Sequence, residues 1–229
     1  MIKIESCRGT DKKLELIEQY KIYPISFVKL LKGQKKTGCC GKLTDKYYAF
    51  ELVDRKNERN RGGFLVGYHC GREFLDLLNI DHRKFTLFNP LRNLSSKDDE
   101  AGENKKDQEL QEEKEKDDKD SRKIVIDPLN KEVYDAIHIV ITAWSGAPYG
   151  DYARIINYIK NNPERRVSDR VIQKVNFLIS RDSKNRSLIQ IVSELRKDYS
   201  EFKEFNFDEL NRAVERLIEK GEEKINYIY

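Results

Sequence analysis

One stretch of the sequence is too highly charged to take part in a hydrophobic core, and it divides the chain. Residues 97–123 hold 20 charged residues among 27, with one leucine and no aromatic side chain. Such a segment buries too little apolar surface to offset the conformational entropy lost on ordering. We therefore predict a disordered linker over 97–123, part of which can form an exposed charged helix, between a module over 1–96 and a domain over 124–229.

The two flanking parts differ in charge. Residues 1–96 carry 19 Lys and Arg against 11 Asp and Glu, a net charge of +8, whereas residues 125–229 carry 17 of each sign. Excess positive charge attracts anionic partners, so the N-terminal part is the expected binding surface. No run of about 18 apolar residues and no apolar signal sequence occurs. We predict a soluble, cytoplasmic protein with no membrane partner.

Periodicity predicts an α+β module followed by an all-α domain. In the N-terminal part, apolar spacing and aromatic alternation predict helices over 11–23 and 24–34, a hairpin of strands 46–54 and 64–69, and a helix from Cys70. In the C-terminal part, the 3.6-residue period predicts helices over 131–144, 151–162, 169–179, from Ser187 onward and over 206–221, then a strand-like end over 222–229.

The cysteines are the least ordinary feature of the N-terminal module. Cys39 and Cys40 are adjacent, and the chain has only Cys7 and Cys70 besides. Four cysteines are too few for a disulfide scaffold of this size, and in a reducing compartment clustered cysteines are more often metal ligands. Two alternatives are buried, unliganded cysteines and a redox pair formed by Cys39 and Cys40.

A cysteine-rich turn, a hairpin and a cysteine at a helix start follow one another over about 40 residues, in an order that resembles a treble-clef zinc module. The resemblance implies a structural zinc ion, for which Cys39, Cys40, His69 and Cys70 supply four ligands of the expected types. The sequence departs from the pattern, because Thr37 and Glu73 stand where the family has ligands. Cys7 and His82 are therefore alternative ligands.

Basic residues surround this proposed module and predict contacts with nucleic-acid phosphates. The candidates are Lys35, Lys36, Lys42, Arg55, Lys56, Arg59 and Arg61. The alternative is a solvated surface whose interleaved aromatic residues form a small core.

The C-terminal end, with the pattern ELxxAVxxLxxKG followed by a strand-like tail, resembles a winged-helix domain. The resemblance implies a recognition helix over 207–220, in which Arg212 and Arg216 would face nucleic acid. The C-terminal part has no net positive charge, so a structural or protein-binding use is the favoured interpretation.

These features predict a non-enzymatic, zinc-stabilised nucleic-acid-binding protein with no catalytic residues, because no P-loop, GxSxG, GxGxxG or kinase motif occurs. The abundance of Lys, Glu, Asn, Ile and Tyr is typical of AT-rich bacterial, archaeal or phage genomes, and a regulator is the expected role. One alternative is a protein-binding adaptor or inhibitor that acts through the helical domain. An enzyme of another type is a further alternative.

Overall fold

A mixed α+β architecture is seen in a computed structural model that describes residue 4 and residues 6–91 and 125–229. The predicted linker lies outside these residues. The first part contains α1 (Thr10–Gln19), β1 (Tyr20–Lys29), β2 (Thr37–Gly38), β3 (Gly41–Lys42), β4 (Lys46–Asp54), β5 (Arg61–Gly67), α2 (Tyr68–Leu77), a 3₁₀ turn (His82–Lys84) and β6 (Leu87–Phe88). The second part contains α3 (Pro128–Ala143), α4 (Tyr152–Asn161), α5 (Asp169–Ser180), α6 (Leu188–Asp198) and α7 (Asp208–Glu219).

A four-stranded sheet of order β5-β4-β1-β6 forms the middle layer. Strand β4 pairs antiparallel with β1 and β5, and β6 runs parallel to β1. Residues Tyr47–Val53 of β4 are all buried, because both faces of the sheet are covered. Successive side chains of a strand point to opposite faces. Accordingly Tyr47 and Ala49 join the core formed with the C-terminal helices, whereas Tyr48, Phe50 and Leu52 join a second core with α2.

The larger core contains residues from both sides of the 97–123 segment. Ile25, Val28 and Leu65 of the sheet belong to the same buried cluster as Val133 of α3 and Leu210 of α7. The description as a zinc module plus a separate winged-helix domain is therefore not confirmed, although the mixed α+β class is.

The predicted hairpin and the C-terminal helices are confirmed. Strand β4 has the predicted bounds, β5 begins three residues earlier than predicted, and α2 follows β5 directly. Helix α6 begins with a capping box, in which the Ser187 hydroxyl accepts from the Gln190 amide and the Gln190 side chain accepts from the Ser187 amide. Helix α7 ends at Glu219 and is followed, as predicted, by Gly221 as the C′ residue, whose φ of 74° suits a residue without a Cβ.

Two predicted elements are wrong, the helix over 24–34 and the C-terminal strand. The first predicted helix is confirmed as far as Gln19. The helix predicted over 24–34 is instead largely strand β1, in which Tyr23, Ile25 and Phe27 are residue types that favour strands. Pro24 lies where the register with β4 shifts, a position that tolerates the missing amide hydrogen.

The predicted strand over 222–229 is likewise absent, since residues 225–229 have no regular secondary structure. Their backbone instead packs on the start of α6, where the carbonyls of Tyr227 and Ile228 accept from the amides of Leu188 and Ile189. Within residues 6–91 and 125–229, no helix is long and apolar enough to span a bilayer.

Candidate metal centre and basic surface

The adjacent cysteines occupy the turn of a small hairpin. Strands β2 and β3 pair Gly38 with Gly41, so that Cys39 and Cys40 form the two-residue connection. The Cys39 amide donates to the carbonyl of Leu65 in β5 at 2.8 Å, which fixes the turn against the sheet. A Cβ at Gly38 would lie 2.5 Å from that carbonyl oxygen, so glycine is required for this approach.

Three cysteine sulfurs meet at this turn, and the fourth cysteine lies close by. Cys7, which precedes α1, is fully buried and forms a disulfide with Cys39, and its sulfur lies 3.0 Å from the Cys40 sulfur. The sulfurs of Cys7, Cys39 and Cys40 lie within 4.8 Å of one another, close enough to hold a metal ion. Cys70, in the first turn of α2, lies near Cys40 but is not one of these three sulfurs. Burial, together with the neighbouring Cys70 thiol, raises the pKa of Cys40 to about 11.

The two histidines considered as ligands lie outside this group of sulfurs. The His69 side chain is exposed, and its ring contacts the ring of Tyr68 with 5.4 Å between centroids. His82 is half-buried in the 3₁₀ turn that follows α2. The structure thus brings together Cys39, Cys40 and Cys70 of the predicted set, and adds Cys7. The signal for Cys7 in the sequence was only its residue type.

Lys36, which was predicted to contact nucleic acid, is instead buried between the sheet and α3. Its ammonium donates to the carbonyls of Ile141 and Trp144, each at 2.6 Å, and lies over the ring of Tyr47. These carbonyls are at the C-terminal end of α3, where a cation is favoured. Burial lowers the pKa of Lys36 to about 7. The prediction is corrected because the side chain has no access to a phosphate.

Five of the other basic residues predicted to contact nucleic acid form two groups. Arg55, Lys56 and Arg59 are exposed in the β4–β5 turn, whereas Lys35 and Lys42 are exposed beside β2 and β3. The turn and the β2–β3 hairpin lie toward opposite ends of β4, whose nine residues span roughly 30 Å. One continuous basic surface around the cysteines is therefore not formed.

Three of the predicted arginines are engaged in ion pairs. Arg61 pairs with Glu51 at 3.2 Å and with Asp151 at 2.7 Å. On α7, Arg212 pairs with Glu209, and Arg216 pairs with Asp169 of α5. The two α7 arginines remain partly exposed, but their charges are compensated within the protein.

A buried carboxylate in the middle of β4 was not predicted from the sequence. Glu51 is 2% exposed and accepts hydrogen bonds from the amides of Gly150 and Asp151 at 2.8 and 3.1 Å, besides its ion pair with Arg61. This arrangement fixes the loop between α3 and α4 against the sheet. Its only sequence signal is one acidic residue within an otherwise apolar strand.

His138, which the sequence places among apolar residues of a helix, is also buried. Its Nδ1 lies 2.7 Å from the carbonyl oxygen of Tyr134, and its ring packs against Phe88. Burial lowers the pKa of His138 to about 3, so the imidazole is neutral at physiological pH. His138 is therefore a core residue, held by its packing against Phe88 and its contact with the Tyr134 carbonyl.

The fold and the cysteine cluster together define a mixed α+β protein with a centre capable of holding a metal ion. Residues 5–225 match the model of a family described as "Uncharacterised conserved protein UCP028583". The chain belongs to this family. No curated protein matches the chain, and no solved structure does.

Proposed function

We propose that the protein is a non-enzymatic nucleic-acid-binding protein whose N-terminal part is stabilised by a structural zinc ion. The observation that supports zinc is the convergence of cysteines from separate segments of the chain. Cys7, Cys39 and Cys40 have sulfurs within 4.8 Å of one another, and the thiol of Cys70 lies near Cys40 as the candidate fourth ligand. Four thiolates match the ligand set of a closed structural zinc site.

Cys7 therefore takes the place that the sequence analysis gave to His69. The element order around the site, with a cysteine-bearing turn, the β4–β5 hairpin and Cys70 in the first turn of α2, supports the resemblance to a treble-clef module. Zinc binds cysteine in the thiolate form, so zinc binding would release the thiol protons. The buried, uncharged thiols therefore belong to the metal-free protein. The competing state is the Cys7–Cys39 disulfide with two free thiols.

Metal analysis and thiol counting distinguish these two states. We expect one zinc per chain after purification under reducing conditions, and loss of zinc in Cys40→Ser and Cys70→Ser. Ser180→Ala, a change on a partly exposed helix position remote from the cysteines in sequence, serves as the matched control. After removal of the reductant and denaturation with a chelator, one released zinc together with four alkylated thiols supports the zinc site. A protein without bound metal, with either two or four alkylated thiols, would refute it.

The proposal of nucleic-acid binding is supported by the charge of the β4–β5 turn. Lys56 and Arg59 are exposed and form no ion pair with any described residue, and Arg55 lies beside them. The paired strands β4 and β5, which this turn connects, hold it in position. Uncompensated cations on a rigid turn suit contacts with phosphates, whose affinity falls with rising salt.

Binding to a fluorescent oligonucleotide, measured at several salt concentrations, tests this proposal. We expect the double variant Lys56→Ala/Arg59→Ala to weaken binding. The slope of log affinity against log salt should fall by the equivalent of about two phosphate contacts. The control Lys197→Ala/Lys224→Ala removes the same charge from exposed positions on α6 and the C-terminal tail. It should change neither the affinity nor its salt dependence. A wild-type protein that does not bind, or equal binding by all three proteins, would refute the proposal.

A further inference from the structure

A cleft lies between α4 and α5. It has a volume of about 360 Å³, and its lining includes Ile155 and Tyr158 of α4, Val171 of α5, and the cations Arg154, Arg170 and Lys174. A second, smaller cavity shares Arg154 with this cleft and reaches Lys21, Glu58 and Arg61 next to the turn. The two hollows therefore lie next to each other, with Asp151 and Arg154 in the lining of both.

The charges of the cleft are not balanced. Its carboxylate, Asp151, is already compensated, because it lies 2.7 Å from Arg61 and 2.9 Å from Lys174. Arg154 reaches the same carboxylate only at 3.8 Å and its side chain is 70% exposed. Arg170 is exposed and forms no ion pair with any residue in the described ranges. Two cations at the cleft are thus available for an anionic ligand.

The walls of the cleft supply apolar and aromatic surface. Ile155 is buried, and Tyr158 and Val171 are partly buried. The Arg154 guanidinium lies over the ring of Tyr23, a residue of the smaller cavity, at 6.0 Å from the ring centroid. A cleft that combines an aromatic ring with cations suits an unstacked base and its flanking phosphates. A duplex offers no such exposed base face, and the volume of the cleft is too small for one.

We infer that this cleft holds one unstacked base of a single-stranded nucleic acid, with Tyr158 against the base and Arg154 and Arg170 at the phosphates. The inference rests on the proposed nucleic-acid binding. In this arrangement the exposed cations of the β4–β5 turn, Lys56 and Arg59, supply additional phosphate contacts.

Single-strand binding at several salt concentrations tests the inference in the full chain. For single strands, each phosphate contact contributes about 0.7 to the slope of log affinity against log salt. Arg154→Ala/Arg170→Ala should therefore lower the slope by about 1.4 and weaken binding to a homopyrimidine 12-mer. Lys197→Ala/Lys224→Ala, with the same change in net charge, should leave both unchanged. Circular dichroism verifies that the variants are folded.

The aromatic contact has its own pair of variants. Tyr158→Leu should weaken single-strand binding roughly tenfold, whereas Tyr158→Phe, which keeps the ring, should retain it. Wild-type binding with no effect of the arginine pair or of Tyr158→Leu would overturn the cleft inference and leave the proposed function standing. Preference of the wild type for duplex over single strand would also overturn it. No binding of either by the wild type would refute both.

Discussion

The buried lysine at the end of α3 makes the stability of the protein depend on pH in a calculable way. Burial lowers the pKa of Lys36 to about 7 from its ordinary value of 10.5. Between these values the unfolded chain holds a proton on Lys36 that the folded chain has released. Unfolding therefore takes up a proton, and the free energy of unfolding rises with pH in this window. The effect of Lys36 is lost above about pH 10.5, where both states are neutral.

The magnitude follows from the two pKa values. At pH 7 the folded state is about half protonated, and near pH 9 it is almost fully neutral while the unfolded state remains charged. A full proton of linkage is worth 1.36 kcal/mol per pH unit. Relative to a variant without the amine, the wild type should gain about 2 kcal/mol of stability between pH 7 and pH 9.

Lys36→Met is the suitable perturbation, because methionine is unbranched and fills a similar space without a charge. Urea unfolding followed by far-ultraviolet circular dichroism at pH 7, 8 and 9 gives the free energies of unfolding of both proteins. Lys35→Met, at an exposed neighbouring position, is the control and should track the wild type at every pH. A difference between wild type and Lys36→Met that stays constant from pH 7 to 9 would refute the assigned burial of the charge.

Two further predictions concern positions where the structure allows little freedom. Asn130 is fully buried, its amide group donates to the carbonyls of Pro163 and Arg165 at 2.9 Å each, and its oxygen accepts from the Val167 amide at 2.9 Å. Asn130→Ala leaves these groups unpaired and should lower the free energy of unfolding by about 3 kcal/mol, measured by urea unfolding. Gly38→Ala should lower the melting temperature in a thermal scan, because its Cβ has no room beside the Leu65 carbonyl. An unchanged melting temperature would contradict the tight approach of the β2–β3 hairpin to β5.

Local periodicity in the sequence is sufficient to predict those helices and strands whose buried residues follow one simple pattern. Strand β4 alternates between two apolar faces and is rich in aromatic residues, and helix α3 repeats apolar residues at helical spacing, so both are predictable from the sequence. Strand β1 is not predictable in this way. Its segment has apolar residues at 22, 25 and 28 that also fit a helix, and only pairing with β4, about 25 residues away, selects the strand.

The candidate site shows the same division between local and distant information. The position of Cys70 at the start of α2 and of Cys39–Cys40 in a turn follows from local signals such as the flanking Gly38 and Gly41. The participation of Cys7 depends on how the segment before α1 folds back over 32 residues to Cys39. The burial of Lys36 likewise depends on carbonyls about 105 residues away in α3. No spacing rule in a single sequence encodes either contact.

The sheet links the two parts of the chain, and this connection determines how the protein responds to cleavage. Ile25, Val28, Tyr47, Leu65 and Phe88 lie in the same core as the C-terminal helices, and each buried side chain of this kind is worth about 1.5–3 kcal/mol. Separating residues 1–96 from 125–229 removes roughly 10 kcal/mol of burial, comparable to the whole stability of a typical domain. Each part expressed alone should therefore aggregate or lack a cooperative melting transition, whereas co-expression should yield a folded heterodimer by size-exclusion chromatography. A monomeric 1–96 fragment that melts cooperatively would show that the N-terminal part does not need the helices, and would restore the two-domain interpretation of the sequence.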